Sequence, residues 1–169
     1  MKTLKLISLM LVLAFSISLV KAAPPANNID KITSAYLGIK NALAAGNGTL
    51  AQAKGKELLD ALSTDPGKGL NADQQKLLNS YLDKLKFDSR HISEVAKVDH
   101  QREHFESLSK NLYEVLKGLK VNTSPLYEQY CPMKKAYWLS ESPTIKNPYY
   151  NDKEMATCGK TTATLNAVK

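Results

Sequence analysis

Side chains with pointed chemistry are scarce in this chain of 169 residues: two cysteines, one tryptophan and three histidines. The cysteines are not spaced C-x-x-C, which argues against a thioredoxin-like redox role. No Ser/His/Asp set and no pair of carboxylates stands apart from ordinary surface acids, so catalysis is not expected. There is no run of five or more basic residues, and the lysines are scattered among acids on helical faces, which argues against a nucleic-acid surface. Internal repeats and low-complexity segments are also lacking. The one long apolar run, Leu6 to Val20, is shorter than the ~20 residues a membrane anchor needs.

That run follows Lys2 and Lys5 and ends in Val20-Lys21-Ala22, a small-x-small pattern ahead of Ala23. Residues 1–22 therefore read as a signal peptide, and no integral membrane segment is expected after its cleavage. The mature chain of 147 residues is long enough for one domain with a core. Lys2, Lys5 and Lys21 leave with the leader, so the net charge falls from +7 to about +4. Export also means an oxidising compartment, in which the two cysteines could simply form a disulfide.

Residues 23–29 read as a linker. From about Asp30 to Ala45, apolar residues recur every three or four positions (Ile32, Ala35, Tyr36, Ile39, Leu43), which predicts an amphipathic helix stopped by Gly46-Asn47-Gly48. Thr49 and Gln52 suggest a capping box opening a second helix, with Leu58, Leu59 and Leu62 on its apolar face. A third helix is expected from Asn71, capped with Gln74, its stripe interrupted by Asp88-Ser89-Arg90-His91. Asp99 reads as the cap of a fourth, whose stripe runs through Gln101, Phe105, Leu108, Leu112, Val115 and Leu119. The expected fold is all-α: an antiparallel four-helix bundle over residues 30–159 with a loop-rich C-terminal cap and room for a short β-hairpin. Pro125, Pro132, Pro143 and Pro148 forbid a long helix in the cap, where Trp138, Tyr149 and Tyr150 are expected to seat it on the helices. Residues 160–169 read as a flexible tail.

The cap carries the chemistry. Cys131-Pro132-Met133 would set two sulfurs on one side of an extended segment, and Met155-Ala156-Thr157-Cys158 would do so on a turn. Paired thiols and thioethers select Cu(I) or Ag(I); a disulfide or a Zn(II) site explains the cysteines but not the methionines. His100 and His104, at i and i+4 on one helical face, are possible nitrogen ligands, with His104 at the border of the apolar stripe. His91 has no partner at helical spacing.

The segments Gln101-Arg102-Glu103-His104-Phe105, Tyr130-Cys131-Pro132-Met133, Tyr137-Trp138-Leu139-Ser140, Asn147-Pro148-Tyr149-Tyr150 and Met155-x-x-Cys158-Gly159 together resemble the domain of unknown function numbered 3347. The resemblance spans about Asp30 to Gly159. It implies a small exported protein, or a module like those appended to periplasmic adaptor subunits of copper/silver-type efflux pumps in Gram-negative bacteria. It places the family's C-P-M on Cys131 and Met133, its M-x-x-C-G on Met155, Cys158 and Gly159, and its helical histidine on His104 with His100 as companion. Two departures stand out: a short Lys134-Lys135-Ala136-Tyr137 link, and Asn151 where glycine is common.

The functional expectation is a periplasmic metallochaperone or buffer for Cu(I), with Ag(I) or Zn(II) as alternative ions, linked to an efflux adaptor as partner. Cys131, Cys158, Met133 and Met155 would ligate, with His104 and His100 as further ligands and Trp138 shielding the site. The rival expectation is a disulfide-stabilised interaction module that docks on an adaptor or another envelope partner without binding metal.

Overall fold

A computed structural model describes residues 28–168. The expected signal peptide and most of the expected linker lie outside the described residues. Four helices are present: α1 (Asn28–Ala44), α2 (Gly48–Ser63), α3 (Ala72–Glu94) and α4 (Val98–Leu119). Asn28 and Ile29, expected in the linker, already belong to α1. Three strands follow, β1 (Leu126–Cys131), β2 (Ala136–Ser140) and β3 (Lys160–Leu165).

The helices form where apolar periodicity demands burial, but their ends depart from the sequence reading. The Asn71–Gln74 capping box is in place, with both reciprocal hydrogen bonds made. For α2 the cap is Asn47, whose side chain accepts the Leu50 N–H, so Thr49 lies inside the helix. For α4 the cap is Lys97 without a side-chain bond. Asp99 falls in the first turn, where it sits 3.6 Å from Arg102. Helix α3 runs unbroken through the expected interruption, because Asp88 and Ser89 occupy its buried face alongside Leu85 and Ile92. The Ser89 hydroxyl donates to Leu85 O at 2.6 Å, and Asp88 faces His104.

Each helix packs on the next in the chain, and α1 and α4 also meet β2. The core runs without a break from Ile29 and Tyr36 of α1 through Phe105 and Leu112 of α4 to Trp138 and Leu139 of β2. Tyr36 binds three elements: its hydroxyl pairs with Ser109 at 2.7 Å and accepts the Leu139 N–H at 2.9 Å. Burial pushes the Tyr36 hydroxyl far above its ordinary value. Rings of Tyr36, Phe105, Tyr149 and Trp138 follow one another at 5.1, 6.0 and 6.1 Å. The cap is thus seated on aromatic side chains, as expected for Trp138 and Tyr149.

The all-α expectation needs correcting, since the cap is a three-stranded antiparallel sheet in the order β2-β1-β3 rather than a hairpin. The third strand comes from residues expected to be a flexible tail. Its register pairs Leu126 with Leu165 and Tyr130 with Lys160 across a bulge at Glu128/Gln129. Polar bonds hold it: the Asn122 side-chain amide reaches Leu165 O and Asn166 O at 3.2 and 3.0 Å, and Thr162 bonds Glu128. Such a strand has no apolar alternation to announce it.

Candidate metal centres

Sheet topology brings the two cysteines together. Cys131 ends β1, Cys158 lies two residues before β3, and the pairing of these strands sets Sγ of Cys131 3.2 Å from Sγ of Cys158. Both thiols are free; Cys131 is buried and Cys158 half-buried. The turn after β1 wraps its main chain around the sulfurs, with Lys134 N–H aimed at Cys131 Sγ at 3.5 Å and Lys135 N–H donating to Cys131 O at 2.8 Å. Asn147, fully buried, holds the other side: its amide donates to Cys158 O at 2.8 Å and its oxygen accepts the Tyr149 N–H.

The two thiols are electrostatically unequal. Burial pushes the Cys131 thiol up, but hydrogen bonds from Lys134 N–H, the Cys158 thiol, the Asn147 side chain and Met133 N–H outweigh it and leave it below the usual thiol value. Cys158 is held above its usual value, first by its hydrogen bond to Cys131 and then by desolvation and the charge on Cys131. Of the two thiols, Cys131 is therefore the more readily ionised.

Gly159 and Trp138 close this end of the sheet. Gly159 has φ +152°, and a Cβ there would stand 2.8 Å from Trp138 Cη2 and 3.2 Å from Tyr130 O. The indole therefore lies directly against the residue after Cys158, which only glycine permits. The methionines are less committed. Met133 is 69% exposed on its turn. Met155 is half-buried and one turn from Cys158, whose N–H donates to Met155 O at 3.0 Å.

The imidazoles lie elsewhere. Among the described residues, one group of three or more His, Cys, Asp or Glu side chains has ligand atoms close enough to share an ion: His91, His100 and His104, all within 4.8 Å. His104 and His100, expected beside the sulfurs, are not brought to them; the six candidate ligands divide into a sulfur group and an imidazole group. His91, read as lacking a partner, joins the second group because only Val95, Ala96 and Lys97 separate α3 from α4. Gln101 fixes that hairpin, its buried amide nitrogen lying 2.9, 3.2 and 2.8 Å from the carbonyls of Gly48, Ile92 and Val95. His91 and His104 stack at 4.4 Å with planes 6° apart, and His100 sits edge-on 4.8 Å from His104. Phe87 covers them, 4.5 Å from His91 and 5.7 Å from His104. The available signal was the polar Asp88 within an apolar stripe.

Helix α4 thus serves both regions from different faces. His104 turns to α3, while Arg102 donates to Pro148 O at 2.9 Å and Leu43 O at 3.2 Å, tying the cap to α1. Asn151, the departure from glycine noted above, lies against Gly46 in the α1–α2 turn. No helix among the described residues is long and apolar enough to cross a membrane.

The chain belongs to the family described as protein of unknown function (DUF3347), whose model matches residues 32–124. That match takes in most of α1, all of α2 to α4 and the three histidines, and it ends before β1, so it is shorter than the resemblance read from the motifs. No curated protein and no solved structure matches the chain.

Proposed function

We propose that this member of the family is an exported binding protein for a soft metal ion, Cu(I) above all, held at the Cys131–Cys158 end of the sheet. The observation that carries the reading is two free thiols 3.2 Å apart from positions 27 residues apart in the chain, one biased toward thiolate. Thiolates are the form that ligates, and joined by thioethers they favour Cu(I). Two sulfurs sharing one ion at ~2.3 Å in tetrahedral geometry stand about 3.8 Å apart. Cys158, half-buried on a turn, can move outward by that difference. Met155, one turn away, and Met133, exposed on the turn after β1, supply thioethers, and Trp138 keeps water from the buried side.

The rest of the molecule serves as a scaffold: the helices act as an antiparallel bundle on which the sheet is seated. Binding without turnover is the activity, in the periplasm, as a buffer or as a donor to an efflux adaptor. An exposed Met133 supports transfer, because a ligand that reaches solvent can pass first to a partner's sulfur.

Competition of the reduced mature protein against a Cu(I) chelator tests the reading. About one Cu(I) per chain is expected, lost in the Cys131→Ser/Cys158→Ser variant. The same short sulfur separation favours one rival, a disulfide that clips β3 onto β1 in an interaction module. Thiol counting on protein freshly taken from the envelope separates them: full oxidation, with no copper uptake after reduction, establishes the rival.

A further inference from the structure

We infer that His91, His100 and His104 form a second metal site, separate from the thiols and of different chemistry, which takes a borderline divalent cation of the Zn(II) or Cu(II) class. Three imidazoles from two adjoining helices present ligand atoms within 4.8 Å of one another. Bound to one ion at ~2.0–2.1 Å in tetrahedral geometry, their nitrogens would stand about 3.3 Å apart. The half-exposed rings close that gap by side-chain rotation, and a fourth position stays open to water.

The surroundings support ligation more than the cluster alone does. Each ring has a carboxylate at Nδ1: Asp88 at 3.1 Å from His104, Glu94 at 3.5 Å from His91 and Glu103 at 3.9 Å from His100. A metal-ligating histidine commonly gives its other nitrogen to a carboxylate, which orients the ring and leaves Nε2 for the ion, and the hydrogen bond between His104 and Asp88 is of this kind. The two glutamate pairs are exposed i, i+3 contacts of the kind that contribute little by themselves. Asp88 is different. Its side chain is only 4% exposed, on the face of α3 that otherwise buries Leu85 and Ile92. Placing a carboxylate there is costly unless something compensates it. His104 provides that compensation, and a dication behind the ring would complete it. Three nearby carboxylates also balance the charge of a divalent ion.

Neutral nitrogen ligands without sulfur suit Zn(II), Cu(II) and Ni(II) rather than Cu(I), so the two sites differ in the ion they prefer. The exposed Phe87 ring against His91 and His104 removes water from one side of the site.

The test is titration of the whole mature protein with Zn(II) against a chromophoric chelator, with Co(II) as a spectroscopic substitute. In the Cys131→Ser/Cys158→Ser chain, one Zn(II) should still bind, and Co(II) should show ligand-field bands without thiolate charge transfer. In that background His91→Gln, at a half-exposed position, should lose the ion, while His91→Gln in the otherwise unaltered chain should leave Cu(I) competition unchanged. Asp88→Asn should weaken Zn(II) about 10- to 100-fold, the usual effect of removing such a partner. Retained affinity in His91→Gln, or loss of all Zn(II) binding in the folded Cys→Ser chain, overturns the proposal. Should the Cys→Ser chain not fold, the Co(II) spectrum of the otherwise unaltered His91→Gln/His100→Gln chain decides: unchanged ligand-field bands overturn it, and their loss supports it.

Discussion

The α3–α4 hairpin and the β1–β3 end of the sheet gather reactive side chains in opposite ways. The hairpin does it locally, with nine residues from His91 to His100 across a three-residue link, on a half-exposed surface. The sheet does it over 27 residues, by strand pairing, with Cys131 fully buried. A local arrangement survives changes elsewhere. The non-local one depends on every element that holds β3 to β1, so the two regions should respond differently to the same perturbation.

The largest expected effect is on ligand choice. Cys131→Ser/Cys158→Ser should lower Cu(I) affinity by several orders of magnitude, because hydroxyls do not replace thiolates as soft ligands. The α3–α4 hairpin should keep its divalent ion, as competition titrations on one preparation would show.

Next comes Gly159→Ala, which combines a φ of +152° with a Cβ pressed on Trp138 and Tyr130 O. A loss of about 1–3 kcal/mol is expected from backbone strain of this kind. Denaturant melts measure it, and Cu(I) binding should weaken with it while Zn(II) binding holds. Equal loss at both sites would erase the distinction between a local and a non-local centre.

The joint between the regions comes third. Buried Lys40 of α1 reaches Glu141, just past β2, at 2.8 Å, and Asn41 also donates to that carboxylate. Burial pushes the Glu141 carboxyl up, but these hydrogen bonds outweigh it and hold it below the ordinary value. The stabilisation is therefore complete above about pH 4.3 and fades as pH falls through the lower folded value. Glu141→Gln should cost about 1–2 kcal/mol at pH 7, less than a fully buried pair because the carboxylate is half-exposed. In acid the variant and the parent should converge.

Smallest is Met133→Leu. At 69% exposure it should leave the melting temperature within about a degree, surface changes costing ~0.5 kcal/mol or less. If it ligates, Cu(I) affinity falls nonetheless. Met155→Leu, half-buried, should cost under about 1.5 kcal/mol.

Much of the helical part was legible because apolar spacing and an asparagine–glutamine capping box are local signals, and Phe105 to Leu119 lie buried as the stripe predicted. Helix starts at Asn47 and Lys97 were missed, since several polar residues in each turn compete for the cap. The sulfur residues could be singled out by composition, and the sheet supplies the proximity that composition left open. The imidazole group was half visible: His100 and His104 share a helix, but His91 joins them only through the hairpin. The polar break at Asp88, read as an interruption of the apolar stripe, was instead a carboxylate turned inward toward His104. Strand β3 was invisible because threonines and one amide, rather than an apolar face, secure it.

That single amide sets how the cap breathes. Asn122 clasps the chain at Leu165 and Asn166, and Val168 N–H returns to Asn122 O at 3.0 Å, while β3 itself buries little apolar surface. Opening should therefore start with β3 peeling away as a unit, far below the free energy of global unfolding. In deuterium-exchange experiments the amides of 160–165 should label well before those of α3 and α4. Since Cys158 lies at the root of that strand, each such opening would also part the two thiols, so the lifetime of a bound ion would be set by the clasp rather than by the sulfur bonds alone.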